Sequence, residues 1–150
     1  MTPRFSEECE RTLRRVGWYP GRAVDVEPWR VPLEESGFVF PEAVVRFLTE
    51  FNGLSFPDNG RGISRAREAF EFDPLLLVGE EERFSAVGAK HGLVLAPLGE
   101  LDHGRFYLGM DEHGAVYDVT DTVAFYGVGD AGLESLVLGV MPAMPEERFF

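Results

Sequence analysis

Cysteine is almost missing from this 150-residue chain. Cys9 stands alone, which excludes an intramolecular disulfide and a zinc site built from several cysteines. Lysine is equally scarce: Lys90 is the only one among fourteen Lys and Arg residues. It follows no Gly-x-x-x-x-Gly spacing, so the phosphate-cradling P-loop is absent. No serine lies in a Gly-x-Ser-x-Gly turn, and no His-Glu-x-x-His occurs. Apolar runs fall well short of the roughly 20 residues that a spanning helix needs. Residues 1–8 carry no apolar stretch after Arg4, so a secretory leader is not expected. Linkers rich in Gly, Pro and Ser are lacking, as are repeats. The expectation is a single cytoplasmic domain over residues 1–150, with its core over about 5–140.

Hydrophobic residues make up 45% of the chain and aromatics 13%, thirteen of them Phe, which is the composition of a packed globule. The formal charge is −12, and it is uneven. It runs from +1 over residues 1–30 through −2 over 31–70 and −4 over 71–110 to −7 over 111–150. A field of that sign repels a phosphate backbone and an anionic membrane, which excludes both as expected partners. It attracts a basic protein and speeds the encounter.

Periodicity gives the elements. Ser6 caps a helix carrying Cys9, Leu13 and Val16, stopped by Gly17. Val24–Val26 reads as a short extended piece, and a helix over Pro28–Ser36 buries Trp29 and Leu33. Pro41 opens the clearest helix, with Val44, Phe47, Leu48 and Phe51 on one face and Asn52-Gly53 as a left-handed cap. Leu54–Phe56 and Phe70–Phe72 read as strands, and Glu80–His91 as a helix capped by Gly92. Leu93–Leu98, Phe106–Asp111, Ala115–Val119 and Thr122–Gly127 follow as a strand meander. Glu112-His113-Gly114 makes one of its hairpins. Asp130 caps a last helix with Leu133, Leu136, Val137 and Val140, ended by Met141-Pro142. Regular β-α-β alternation is missing. The expected class is therefore α+β, a mostly antiparallel sheet with flanking helices packed on one face.

Chemistry-bearing patterns are few. His103 beside Asp102 and His113 beside Asp111-Glu112 are the histidine–acid pairs that an enzyme or a metal would use, but Asp-His-Gly and Glu-His-Gly are also ordinary turn sequences. No catalytic residue, metal ligand or cofactor is assigned. Gly127, Gly129 and Gly132 echo a dinucleotide fingerprint, yet no strand or ribose-binding acid follows them. Sharp turning at the first two and close packing at the third is the better reading.

The order of motifs is informative. Phe5-Ser6-Glu7-Glu8, then Gly17-Trp18-Tyr19-Pro20-Gly21-Arg22, then Phe47-Leu48-Thr49-Glu50-Phe51-Asn52-Gly53-Leu54 open the chain. Phe70-Glu71-Phe72-Asp73-Pro74, Gly79-Glu80-Glu81-Glu82-Arg83-Phe84, Pro97-Leu98-Gly99-Glu100, Gly114-Ala115-Val116-Tyr117 and Leu133–Gly139 complete the series. This series resembles the SUKH superfamily, most of all its third subfamily, the bacterial immunity proteins of polymorphic toxin systems. The resemblance implies a SUKH-like fold and a non-enzymatic protein. Such a protein would neutralise a cognate toxin, such as a nuclease or deaminase, by occluding its active or substrate-binding site. It implies no transferable catalytic residue. The alternative within the same superfamily is a regulatory interaction module with no toxin partner. On regional charge, the expected contacts to a basic toxin surface are Asp102, Asp111, Glu112, Asp118 and Asp121.

Overall fold

A computed structural model of the chain describes residues 3–58 and 60–145. The Phe149-Phe150 tail and Asn59 of the Pro57–Gly62 turn lie outside the described residues.

Helix α1 spans Glu7–Arg15. The Ser6 hydroxyl accepts the Cys9 N–H at 3.2 Å, three acids occupy the first turn and Arg14 and Arg15 the last, so both ends suit the helix dipole. Val16 stands just past the end as the C-cap. Residues 24–26 form no strand; Val24 instead donates its N–H to Thr49 O at 2.8 Å. Helix α2, Glu27–Glu35, keeps Pro32 in its interior, where a backbone hydrogen bond is lost. Burial of Trp29 and Leu33 offsets that loss. Helix α3 runs Glu42–Phe51, with Pro41 as its N-cap and Val44, Phe47, Leu48 and Phe51 buried as the spacing predicts. Only Gly53 takes the left-handed conformation beyond it, at φ 89°; Asn52 is extended.

Six strands follow as a meander in spatial order β1 to β6, every neighbouring pair antiparallel. They are β1 (Ser55–Phe56), β2 (Phe70–Glu71), β3 (Ala96–Leu101), β4 (Phe106–Met110), β5 (Ala115–Val119) and β6 (Val123–Val128). A 3₁₀ turn over Pro74–Leu77 and helix α4, Glu81–His91, separate β2 from β3. Helix α5, Asp130–Leu138, follows β6. The architecture is α+β, as expected. The β1–β2 pair is only two residues long, and ring packing reinforces it. Phe56 and Phe70 face one another across the strands and stack at 4.2 Å, and Phe72 packs edge-on to both. The far edge at β6 is covered, because Phe125 and Ala143 exchange two 2.8 Å backbone hydrogen bonds.

Helices lie on both faces of the sheet, not on one. Register puts Leu108, Met110, Val116 and Asp118 on one face and Tyr107, Gly109, Tyr117 and Val119 on the other. The first face receives α5: a Cβ on Gly132 would stand 2.8 Å from Val116 Cγ2. The second receives α4: a Cβ on Gly109 would stand 3.1 Å from the Phe84 ring. The one-face expectation failed because the residues of β5 are buried on both sides, so strand alternation carries no polar signal there. Gly132 also explains the glycine series at 127, 129 and 132. A Cβ on it would meet Gly127 O at 2.6 Å, a close helix–strand approach.

Asp130 does not cap α5. The cap is Gly129, and the Asp130 carboxylate instead takes the Arg4 guanidinium at 2.7 and 3.0 Å. Arg4 also holds Glu50 of α3 at 2.8 and 2.9 Å, so one side chain ties the N-terminal segment to two helices. Gly139, left-handed at φ 72°, ends α5 before Met141-Pro142 is reached. Among the described residues no helix is long and apolar enough to cross a membrane.

Candidate partner-binding surface

The five acids singled out by regional charge do not share a face. Asp111 and Glu112 sit in the β4–β5 hairpin; Asp102, Asp118 and Asp121 lie at the opposite end of the sheet. Asp111 is only 2% exposed. Its Oδ1 accepts the N–H groups of His113 and Ala115 at 2.9 and 3.0 Å and its Oδ2 the Tyr117 hydroxyl at 2.9 Å, so it organises the hairpin from inside. Asp118 is 8% exposed and accepts the Tyr126 hydroxyl at 2.7 Å, with Arg65 at 4.0 Å. Burial pushes its carboxyl up to about 6, against the opposing pull of Tyr126 and Arg65. Asp102 holds the exposed Arg105 at 3.2 Å from a left-handed backbone (φ 54°), followed by His103 at φ 57°. Glu112 is half-buried and accepts the Val94 N–H. Asp121 is fully in solvent and paired with Arg83 at 2.7 Å. Sequence spacing could not separate inward from outward acids here: Asp111 serves the backbone of its own turn, and Asp118 meets a hydroxyl on the neighbouring strand.

His103 and His113 lie at opposite ends of the sheet, and among the described residues no three of His, Cys, Asp and Glu gather as a metal ion would require. Cys9 is fully buried, and burial with nearby carboxylates pushes its thiol up to about 12.

A different group of acids lies together, Glu71 exposed and Asp73 and Glu100 half-buried. Glu71 of β2 lies directly opposite Glu100 of β3, which lies opposite Tyr107 of β4. Like charges facing across strands are unfavourable. Asp73 adds a third carboxylate beside them, with one oxygen accepting the Leu75 N–H at 3.1 Å as the cap of the 3₁₀ turn. Burial, then Glu71 and Asp73, hold the Glu100 carboxyl above its ordinary range. Among the described residues no Arg, Lys or His forms an ion pair with Glu71, Asp73 or Glu100, whereas Arg4, Arg14, Arg30, Arg46, Arg67 and Arg83 are all engaged with acids elsewhere. Beyond Tyr107, Arg83 bridges Glu80 at 2.8 Å and Asp121 at 2.7 Å, so Asp121 closes the far end of this band. The chain between Glu71 and Glu82 holds five acids and no base. It also presents Leu75 and Leu76, each 41% exposed, and Val78 at 62%. An apolar run in solvent with carboxylates around it has the make-up of an interface. Gly99 places it: β3 shifts register between Pro97 and Gly99, and a Cβ there would stand 1.9 Å from Glu71 O and 3.0 Å from the Asp73 N.

The family model for the SUKH-3 immunity protein matches residues 5–139. This chain belongs to the SUKH-3 family. Comparison with curated proteins and with solved structures returns no match. In this SUKH-3 protein the acidic band stands on the α4 side of the sheet. The sequence did carry a signal for it: Leu75-Leu76-Leu77-Val78 between Asp73 and three glutamates is an apolar run too short for a helix. What the sequence could not show was that Leu77 alone of the three leucines turns inward.

Proposed function

We propose that this SUKH-3 protein neutralises a cognate bacterial toxin in the cytoplasm by binding it, and that the toxin docks on the band formed by Glu71, Asp73 and Glu100 with Leu75, Leu76 and Val78. Family membership supports the immunity role. The observation that supports the choice of surface is a set of carboxylates, Glu71 exposed and Asp73 and Glu100 half-buried, that form no ion pair among the described residues, in the same stretch of structure as exposed aliphatic side chains. A basic groove on the toxin supplies the missing cations, and the attraction raises the association rate in a salt-dependent way. Covering Leu75, Leu76 and Val78 adds about 1 kcal/mol each. The protein needs no chemistry of its own: occupying the groove that the toxin uses for substrate is sufficient. Of the five acids expected from the sequence, Asp121 borders this surface through Arg83. Asp102 and Glu112 stand apart from it, and Asp111 and Asp118 act within the fold.

On this reading a toxin domain should be encoded beside this gene, and the test uses it: rescue of growth on co-expression, and association kinetics at low and high salt. The double variant Glu71→Lys with Glu100→Lys should slow association at least tenfold and abolish its salt dependence. Glu42→Lys, an exposed site on α3, should change neither. Equal kinetics for both variants would move the interface elsewhere, and failure of the wild type to bind or rescue would overturn the immunity mechanism itself.

A further inference from the structure

On the opposite face from the acidic band, at the end of the sheet where β5 turns into β6, lies a cleft of about 560 Å³ that the immunity reading does not use. Its walls are built. On one side, Ile63, Ser64 and Arg65 donate their N–H groups to Leu138 O and Gly139 O at 3.0–3.1 Å, satisfying the carbonyls that end α5. Gly62 and Gly139 cross so closely there that a Cβ on Gly62 would stand 2.7 Å from Gly139 Cα. On the other side, Ala143 is locked to Phe125, and Met141 donates its N–H to Ser64 Oγ at 2.6 Å, joining the two walls. A cleft of this size held by backbone contacts is pre-formed for a small ligand.

The lining has two characters. Phe106, Val123, Ala124, Met141 and Met144 are apolar. Arg65, Arg105, Glu68 and Asp118 bring two charges of each sign, so a ligand with one charge meets a repelling pair whichever sign it carries. The protein's own contacts leave these groups loosely matched: Asp118 meets Arg65 only at 4.0 Å, and Glu68 lies against the Asp102 carboxyl. Arg105 holds its guanidinium 72% exposed over the Phe106 ring, with Asp102 at 3.2 Å on one nitrogen and the other nitrogens turned to solvent for a second carboxylate.

We propose that this cleft binds a small zwitterion with an apolar side chain, of the α-amino acid class. Its ammonium faces Asp118 and Glu68, its carboxylate faces Arg105, and its side chain lies against Phe106, Val123 and Ala124. Both carboxyls hold protons more tightly than ordinary ones, first because burial removes water from them and, at Glu68, also because the Asp102 carboxyl lies against it; an ammonium group offsets both effects. The inference is independent of the toxin interface.

Calorimetric titration of the full chain with L-phenylalanine, phenethylamine and 3-phenylpropionate tests it, since the last two keep the body and lose one charge each. L-Phenylalanine should bind at least tenfold tighter than either. Its chemical-shift changes in the wild type should centre on Phe106, Val123 and Ala124. Asp118→Asn should weaken it about tenfold at an unchanged fold by amide spectrum. No binding by any of the three, equal binding by a singly charged analogue, or shifts centred elsewhere would overturn the proposal. The wild-type mapping decides it even where the variant is unstable.

Discussion

Asp118 stands inside the sheet with a carboxyl whose pKa is pushed from 3.8 to about 6, chiefly by burial. An unfolded aspartate ionises near the ordinary value, so the folded protein binds the extra proton between the two. Stability from this group is therefore greatest in acid and is lost as pH rises from about 4 to about 6. At 1.36 kcal/mol per tenfold in proton affinity the full loss is about 3 kcal/mol. About 2.5 kcal/mol of it falls between pH 4 and pH 8, because unfolded aspartate is already part-ionised at pH 4. Asp118→Asn keeps an oxygen for the Tyr126 hydroxyl and never ionises. Urea unfolding of both proteins at pH 4 and pH 8 gives four free energies. The variant's stability relative to wild type should be about 2.5 kcal/mol more favourable at pH 8 than at pH 4. Groups common to both proteins cancel in that double difference. A value below about 1 kcal/mol would show that Arg65 and Tyr126 fully compensate the buried charge, and the argument from burial would fail.

Gly99→Ala should destabilise the fold by about 3 kcal/mol in urea, because the new methyl meets the Glu71 carbonyl and not a flexible side chain. A loss below about 1 kcal/mol would contradict that geometry. Ser6→Ala should cost about 1 kcal/mol through the lost cap on α1, read as a lower urea midpoint at unchanged slope. Cys9 should resist a thiol reagent in the native protein at pH 8 and react at once in 6 M guanidinium chloride; rapid native labelling would refute its burial.

Much of this fold could be read from spacing. The α3 face, the Ser6 cap and the β4 to β6 meander follow from periods of 3.6 and 2 and from turn residues that have few conformational alternatives. Three things could not. The 3₁₀ turn at Pro74–Leu77 leaves no period in four residues. Helices on both sides of the sheet erase the alternation that would distinguish them. The direction of an acid in a tight hairpin depends on which backbone N–H groups need an acceptor, as Asp111 shows. Charge counted along the chain pointed to residues 102–121, but Asp111 and Asp118 are consumed by internal hydrogen bonds, while the outward group at 71–82 sits in a region of smaller net charge.

The stacked Phe56 and Phe70 rings and their neighbour Phe72 do their work beneath the strand carrying Glu71, while that exposed carboxylate forms no ion pair among the described residues. The proposed adhesion and the architecture are thus written in different letters of the same short segment. If the toxin docks as proposed, Glu71, Leu75, Leu76 and Val78 are free to change with it, while Gly99 and the phenylalanines beneath keep the platform in place.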